Sequence, residues 1–559
     1  MDSEDFEAVP QPNEKLSKAH AKLLKSFIAS DLPDDICREI FLRCLPEGTL
    51  ATPHPLSPPV VLTHVCSQWR QVALTTPHLW STLHVSPILD GTKLPFSPEY
   101  RYERTKQWLA RAGSSLPLDI SFHHVLPHSY YNTQDVVHLL DTLTPSVSDR
   151  LKSFEVTFLG AEDAVKSVLT HPVLWDQSTN PLWKVPKLTL AFRIWVGGRE
   201  THNRLPALLG WILAGLDLKR NKQLRHLSFD YNDYRRHPDR PMITTFLPCA
   251  QLEILDMQSR DAVRHYGPHL LGCVTHEVVY DILASCPNLV VFKVDIEHQQ
   301  SYEEIRIPPQ RHTMRRLKEL SMSFFNLKNP DDICWWPNFD FPVLTSLHLR
   351  HRERTKRCGR SDTLFMVLEK VGSTLTSLVL DPGFLKRYDL IRALRLLPCL
   401  VQLHLKELYF IKDCDPKELK GGDDAKWNDE VLESLTPKHN SPHACPHLQY
   451  LKWQYNTFFG DTEEGLIKLI QHRASSPNSP VSMKQVHIDF GRHASARNRK
   501  VKSECRSLVE AGLDLRLNYL PEDWEEKNVT YGDERLAEAK IQHKLSPFEK
   551  SGYIGFGWE

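Results

Sequence analysis

Three histidines and a cysteine lie close together at His439, His443, Cys445 and His447, and these side chains are zinc ligands in many proteins. Zinc sites usually draw their ligands as closely spaced pairs. The chain contains no Cys-x-x-Cys and no second ligand cluster with paired spacing. Cys445 and His447 also belong to a turn sequence that recurs elsewhere in the chain. We therefore expect no metal here.

Asp489-Phe490-Gly491 spells the metal-binding tripeptide of protein kinases. The chain has no His-Arg-Asp loop, no glycine-rich nucleotide loop and no Ala-Pro-Glu. His-Glu-x-x-His and Gly-x-Ser-x-Gly, which position zinc ligands and serine nucleophiles, are also missing from the sequence. The sequence therefore predicts neither a catalytic set nor a cofactor.

Charge and composition exclude several further classes. The 559 residues carry 69 Lys plus Arg and 69 Asp plus Glu, so no net charge attracts the chain to nucleic acid or an anionic membrane. Twelve cysteines without close pairs favour reduced thiols inside the cell. The N-terminus is acidic rather than signal-like, and the longest apolar stretch, ALLGWILAGLDL, is too short to span a membrane. We expect a soluble cytoplasmic or nuclear protein.

A compact helical segment starts near Asp31. Pro33 can begin a helix, and Asp34 and Asp35 place carboxylates in its first turn, where the helix dipole favours them. A proline-rich insert, Pro46–Pro59, then separates this helix from two further short helices. About fifty residues in three short helices cannot cover all their large apolar side chains, so physics alone predicts a docking surface.

The same segment carries a family resemblance. LPDDICREIFLRCL, VVLTHVCSQWRQVA and TPHLW, in this order between Leu32 and Trp80, resemble an F-box, in particular the F-box-like form common in basidiomycete fungi. The resemblance implies a three-helix domain that docks on the Skp-type adaptor, and through it on a cullin. The positions that match the family's adaptor-facing or domain-defining residues are Leu32, Pro33, Ile36, Ile40, Leu62, Val65 and Trp69. The insert is longer than in a compact F-box, although insertions at this point are familiar in the fungal form.

The rest of the chain repeats one short pattern: apolar, two variable, apolar, one variable, apolar. It occurs eleven times, from Leu151/Phe154/Val156 to Met483/Val486/Ile488, with starts 25 to 48 residues apart. This is similar to the strand signature of leucine-rich repeats, whose units bury their apolar faces by stacking on neighbours. The resemblance implies an irregular solenoid with parallel strands inside and helices outside. Cys286 and Cys445 precede a proline at the same point of the repeat, so we expect them to be buried rather than reactive.

Strand alternation predicts which residues face a ligand. In each unit the two last apolar residues point inward, so the residue between them and the residue after them point to the opposite, concave face. The early units lean acidic and the later ones basic. If this face binds a target, its basic part would meet an acidic segment, and we expect the attraction to grow below about pH 6.5 as histidines protonate. The residues concerned are His348, Arg350, His404, Lys406 and Lys452.

These patterns together predict an α/β protein with an N-terminal three-helix F-box and an irregular leucine-rich-repeat solenoid. The expected boundaries are a tail (1–27), an F-box-like domain (28–86), a linker and helix (87–114), the solenoid (115–520) and a C-terminal extension (521–559). The predicted function is a non-catalytic substrate receptor of a Skp-Cullin-F-box ubiquitin ligase with a protein target. A leucine-rich scaffold without a ligase role remains an alternative, as does a metal-dependent enzyme that uses the histidines.

Overall fold

The computed structural model describes residues 32–46, 50–85, 98–126, 142, 145–160, 184–194, 218–231, 243–258, 274–297, 310–325, 333, 335–351, 362–381, 385, 387–406, 424–437, 443–456, 463–475, 482–493 and 500–520. The predicted tail, the predicted C-terminal extension and His439 lie outside them. The chain forms two compact units. The first comprises Met1–Leu126, Tyr130–Thr157 and His171–Val185, and the second comprises Pro127–Ser129, Phe158–Thr170 and Pro186–Glu559. The domain boundaries expected from the sequence remain predictions.

Eleven α-helices lie in the described residues: α1 Asp34–Arg43, α2 Ser67–Leu74, α3 Pro98–Arg111, α4 Pro145–Ser148, α5 His276–Ser285, α6 Asp362–Val371, α7 Arg387–Arg395, α8 Asp424–Leu435, α9 Glu464–Ser475, α10 Lys500–Glu504 and α11 Arg506–Glu510. Short 3-10 helices cover Val61–His64, Pro77–Trp80, Leu218–Arg220, Ile243–Thr245 and Trp336–Asn338. None of the described helices has both the length and the apolarity to cross a membrane.

The strands of the described residues are β1 Thr82–Val85, β2 Leu118–Leu126, β3 Leu151–Gly160, β4 Lys187–Ile194, β5 His226–Tyr231, β6 Ile254–Met257, β7 Val291–Glu297, β8 His312–Thr313, β9 Glu319–Phe325, β10 Phe339–Asp340, β11 Ser346–His351, β12 Ser377–Leu380, β13 Gln402–Lys406, β14 Tyr450–Asn456, β15 Gln485–His493 and β16 Asp514–Leu520.

The first helix of the first unit starts within one residue of the predicted position. α1 begins directly after Pro33, with Asp34 and Asp35 in its first turn. The Cys66 thiol accepts a hydrogen bond from the Trp69 backbone N–H (3.4 Å) and so caps the start of α2. α1 and α2 meet through Phe41 and Trp69, whose ring centroids lie 4.9 Å apart at an interplanar angle of 61°. This edge-to-face contact fixes one side of each helix.

The strands of the first unit follow the order β1-β2-β3, with β1 parallel to β2. Two buried tryptophans, Trp80 and Trp108, pack edge to face at 4.8 Å beside β1. The Trp80 indole N–H donates to the Ala73 carbonyl (2.8 Å), and the Trp108 indole N–H donates to the Thr82 carbonyl (3.1 Å). Both large side chains thus have satisfied polar atoms, which buried indoles require.

The proline-rich insert makes defined contacts within residues 50–59. Ala51 is buried, and its carbonyl accepts a hydrogen bond from the His84 N–H of β1 (2.7 Å). The turn that follows is closed by a hydrogen bond from the Ser57 N–H to the His54 carbonyl (3.1 Å). Residues 50–59 of the insert therefore contact β1 through the Ala51 carbonyl.

The second unit contains a long parallel sheet, in agreement with the predicted repeat array. Its described strands follow the order β4-β5-β6-β7-β9-β11-β12-β13-β14-β15-β16, and all ten neighbouring pairs are parallel. β8 and β10 form a separate parallel pair. Across the chain, the eleven predicted pattern occurrences supply thirty-three apolar side chains, and each of these is at most 6% exposed.

The turns of the repeats are closely packed, with buried cysteines and a close approach between two backbone segments. Cys286 and Cys445 are buried, as predicted for elements of the repeat. Gly372, directly after α6, lies so close to the next turn that a Cβ atom added to it would stand 2.0 Å from the Leu396 carbonyl oxygen. Only glycine fits such an approach of two backbones.

One buried cation joins three segments near the end of the array. Arg473 of α9 is 1% exposed, and its guanidinium donates to the carbonyls of Leu435 (2.9 and 2.7 Å), Ala444 (3.0 Å) and Cys445 (3.0 Å). Leu435 is the last residue of α8, where carbonyls lack intrahelical partners. Arg473 therefore caps one helix and fixes the turn that leads to β14.

Candidate binding surfaces

Large exposed apolar side chains concentrate in the helical segment of the first unit. Eight such side chains occur among the described residues of the chain. Six of them, which we call the exposed apolar set, are Ile36 (46% exposed), Ile40 (38%), Leu42 (37%), Leu56 (79%), Val65 (52%) and Leu74 (36%). The other two are Met366 and Val509 of the second unit. Such concentration in one short segment is typical of an interaction site.

The geometry of α1 explains why part of this set is exposed. Cys37 and Phe41 are four residues apart on one side of the helix and are both fully buried. Ile36 and Ile40 have the same spacing but precede them by one position, which turns them about 100° away from the buried side. The apolar stripe of α1 is thus wider than the surface that the first unit covers.

The seven residues assigned by the F-box resemblance fall into three groups. Pro33, Ile36, Ile40 and Val65 are exposed, Leu32 and Trp69 are half-buried, and Leu62 is 5% exposed. The Leu32 carbonyl accepts a hydrogen bond from the Gln68 side chain (3.1 Å), so Leu32 also links α2 to the start of α1. The exposed four are available to a partner, whereas Leu62 and Trp69 contribute to packing.

Three members of the exposed apolar set were not among the predicted site residues: Leu42, Leu56 and Leu74. Leu56 stands between Pro55 and Ser57 in the insert, where no site residue was predicted. The position of Leu56 in a proline-rich turn is a sequence signal for its exposure, because such a turn offers few apolar neighbours that could cover the side chain.

The second candidate surface is the polar strand face of the second unit, the side of the sheet opposite the buried leucine rows. The register aligns one row across six neighbouring strands: His348, Val379, His404, Lys452, His487 and Arg516. Arg350 and Lys406 each lie two positions further along their own strands. All five residues proposed for target binding, His348, Arg350, His404, Lys406 and Lys452, are half-buried on this face.

A chain of hydrogen bonds fixes His404 in this row. Its Nε2 lies 2.8 Å from Gln454 Oε1, and Gln454 Nε2 donates to an oxygen of Asp489 (3.1 Å). The other oxygen of Asp489 accepts from the Asn518 amide (2.7 Å). Strand alternation places Gln454 and Asp489 on this face, but it does not predict the network, because its members come from four strands.

Burial and neighbouring cations set the charge of the histidines. Burial, with Lys452 next in importance, lowers the pKa of His404 to about 4. Burial, with Arg350 next, lowers the pKa of His348 to about 4. The expectation that free histidines on this face become charged just below pH 6.5 is therefore wrong. It failed because it used the ordinary histidine pKa in a place where half-burial and three cations favour the neutral form.

The earlier strands of the polar strand face differ in character. Ser321 and Ser323 of β9 are buried, and both accept hydrogen bonds from the Gln258 amide (3.1 and 3.2 Å). Lys293 forms an ion pair with Glu319 at 2.7 Å. These polar groups therefore form hydrogen bonds and an ion pair with one another.

Two of the residues considered for a metal site, His443 and Cys445, lie in surroundings that shift their pKa values. The Cys445 thiol donates to the Leu394 carbonyl (3.3 Å), and burial raises its pKa to about 12. Burial and the Arg473 guanidinium lower the pKa of His443. No group of three or more candidate ligands occurs within the described ranges. Asp489, the first residue of the kinase-like tripeptide, is held by the amides of Gln454 and Asn518.

No family model matches the chain, and no curated protein shows significant similarity to it. Among solved structures, one described as the complex of Rad7 and Elc1 in yeast aligns with 81% of this chain and 96% of that chain. The sequence identity is 13% and the TM-score is 0.36. A TM-score this low does not establish a shared fold.

Proposed function

We propose that this chain is the substrate-recognition subunit of a Skp-Cullin-F-box ubiquitin ligase. In this role the segment Leu32–Trp80 docks on a Skp-type adaptor, and the parallel-sheet unit holds a protein target. The chain performs no bond chemistry itself. It raises the local concentration of a target lysine near the conjugating enzyme that the ligase carries.

The observation that carries this proposal is the exposed apolar set. Six large apolar side chains exposed within Asp34–Leu74 lose water contact only when a partner covers them. The sequence pieces that resemble an F-box occupy this same segment. Among the residues assigned by that resemblance, Ile36, Ile40 and Val65 are the best anchors, because they are exposed in the unbound chain.

The polar strand face supports the other half of the proposal. Solenoid proteins bind partners along extended faces of this kind. Strands β11, β13 and β14 supply three cations and two neutral imidazoles here: His348, Arg350, His404, Lys406 and Lys452. We therefore assign target contact to these five residues and adaptor contact to the exposed members of the first set.

The test is capture of purified adaptor and of adaptor–cullin complex by the full chain. The docking variant combines Ile36→Ser, Ile40→Ser and Val65→Ser. The matched control combines Met366→Ser and Val509→Ser, which remove the two exposed apolar side chains of the second unit. Central apolar anchors cost about 2 kcal/mol or more each, so we expect at least a tenfold loss of capture in the docking variant only.

Three results decide between the functions. Capture of adaptor and cullin, lost in the docking variant and kept in the control, supports the ligase receptor. Capture of adaptor without cullin favours the scaffold without a ligase role. No capture of adaptor by the parent chain rejects the docking assignment.

A further inference from the structure

The side chains around His404 form a compact cationic cluster on the polar strand face. Lys452 is its register neighbour on β14, and Lys406 lies two residues further along β13. We propose that this cluster binds an anionic group, a carboxylate or a phosphate, and that His404 takes up a proton when the anion binds. The inference deepens the proposed function, on which it rests for the assumption that the anion belongs to a protein target.

Two strands on each side of β13 contribute to the surroundings of His404. β12 presents Val379 directly beside it, with Asp381 one step further along that strand face. β11 presents His348 and Arg350, and the Asp381 N–H donates to the Leu349 carbonyl (2.9 Å), which places Asp381 beside Arg350. β14 presents Lys452 and Gln454, and β15 presents His487 and Asp489. Three cations thus face two carboxylates, and one of these, Asp489, already accepts two amide hydrogen bonds.

The hydrogen-bond chain determines which nitrogen of His404 a ligand meets. A carboxylate only accepts hydrogen bonds, so the Gln454 amide nitrogen must face Asp489. The Gln454 oxygen then faces His404 and requires a donor, so His404 Nε2 carries the hydrogen. In the neutral ring, Nδ1 is therefore the nitrogen with the lone pair. When His404 is protonated, Nδ1–H becomes a donor directed at the bound group.

Electrostatics link the two events. Without a bound anion, burial and the cations Lys452, Lys406 and Arg350 hold His404 neutral, with a pKa of about 4. A bound anion offsets the field of these cations and offers an acceptor to Nδ1–H, and both effects favour the charged ring. Binding therefore takes a proton from solvent and becomes tighter as pH falls below the pKa of the complex. The carboxylates of Asp381 and Asp489 also favour the protonated ring. They therefore do not change the expected direction of the pKa shift on anion binding.

The experiment uses the full chain with histidine labelled at Cε1 and follows the His404 resonance, assigned by its loss in His404→Gln. The chain is titrated with pH in inorganic phosphate, in acetate and in chloride at equal ionic strength. We expect the apparent pKa of His404 to rise from about 4 in chloride to about 5 or higher in phosphate. A rise in acetate as well identifies carboxylate as sufficient, and a rise in phosphate alone identifies a phosphorylated group.

The matched variants are Lys452→Gln, which removes the cation adjacent to His404, and Lys502→Gln, which removes an exposed lysine on α10. We expect at least fivefold weaker phosphate binding in the first and no change in the second. The same His404 pKa in all three salts would overturn the inference, as would equal phosphate affinity in the parent and Lys452→Gln. Adaptor capture is measured in parallel, so loss of the anion effect with capture retained rejects this inference and leaves the proposed function standing.

Discussion

The helix α1 and the strand β11 both carry apolar side chains at regular spacing, but these side chains differ in their exposure to solvent. Ile36 and Ile40 of α1 are 46% and 38% exposed, whereas Leu347 and Leu349 of β11 are 0% and 1% exposed. The strand β11 has a parallel strand on each side, and its leucines lie beside apolar side chains of both neighbouring strands. α1 has one covered side. Regular apolar spacing thus predicts an element but does not tell whether the same chain covers it.

A charge in the buried row should have the largest effect on stability. Leu347→Asp places a carboxylate where both neighbouring strands present leucines, and we expect a loss of at least about 4 kcal/mol in the free energy of unfolding. Limited proteolysis should then cut near β11, since repeats rely on their neighbours. The control is Ser346→Asp, the preceding half-buried residue on the polar strand face. A Leu347→Asp variant as protease-resistant as the parent would contradict the assignment of this strand to the core.

Removal of the buried cation comes next. Arg473→Met leaves the carbonyls of Leu435, Ala444 and Cys445 without their donors, so we expect a loss of about 3 kcal/mol by denaturant unfolding. Arg473→Lys should restore only part of the lost stability, because one ammonium group cannot reach all three carbonyl oxygens. Arg506→Met, at an exposed arginine, is the control. Equal stability of Arg473→Met and Arg506→Met would show that the cap is dispensable.

The close approach at Gly372 should matter slightly less. A methyl group at Gly372 meets the Leu396 carbonyl oxygen at 2.0 Å, so the two turns must separate. We expect Gly372→Ala to cost about 1 to 3 kcal/mol in thermal unfolding, as overpacking usually does. Ser373→Ala, one residue along and exposed, should have almost no effect. If the two substitutions lower the melting temperature equally, the two turns do not pack tightly against each other.

Acid should weaken the second unit in a window set by two histidines. His348 and His404 have pKa values of about 4 in the folded chain against 6.5 for the ordinary side chain. Below pH 6.5 the unfolded chain takes up protons that the folded chain refuses, so stability is complete above this pH and falls towards pH 4. We expect the two histidines together to lower the free energy of unfolding by about 1 to 3 kcal/mol across this pH window.

The control for this pH effect is the double variant His348→Gln with His404→Gln, which should flatten the profile between pH 6.5 and 4. Asp514 acts in a separate window. Hydrogen bonds from Gln485 in first place, and from Arg516 and His487, lower the pKa of Asp514 to about 2, so its contribution disappears only below about pH 4. An unchanged slope in the double variant would show that other groups cause the acid sensitivity.

The smallest effect on stability is expected in the exposed apolar set. Ile40→Ser removes a side chain that is 38% exposed and should change the free energy of unfolding by less than about 1 kcal/mol. Phe41→Ser, at the fully buried neighbouring position, should unfold the helical segment. Adaptor capture should be lost in both variants, but only Ile40→Ser should keep its melting profile. Equal destabilisation by the two substitutions would mean that Ile40 is a core residue.

The sequence was most informative where one rule repeats. The pattern of Leu344, Leu347 and Leu349 recurs with small variations, and every occurrence ends in a buried strand. β16 was not among the predicted units, because Leu513, Leu515 and Leu517 alternate without the two-residue gap. β1 also escaped, since its residues adjoin the segment that resembles an F-box. The apolar pattern therefore identifies many strands of the sheet but misses strands such as β1 and β16.

Features that depend on distant residues could not be predicted. An arginine in a helix with Lys468 and His472 nearby is typical of a solvated surface, and nothing local tells that Arg473 meets carbonyls of the preceding helix and turn. The charge of His404 likewise depends on Lys452, which comes from the next strand of the sheet. The positions on the strand face followed from alternation, whereas their protonation required three-dimensional neighbours.

The contacts of β1 have a consequence for how the chain behaves beside its own copies. β1 pairs with β2 on one side, and a strand with an open second side can recruit a strand from another molecule. Here the second side is occupied: the His84 N–H donates to the Ala51 carbonyl of the insert, and the Thr82 carbonyl accepts from the Trp108 indole. The proline-rich insert and a tryptophan thus protect the sheet edge against self-association, because neither can continue the ladder.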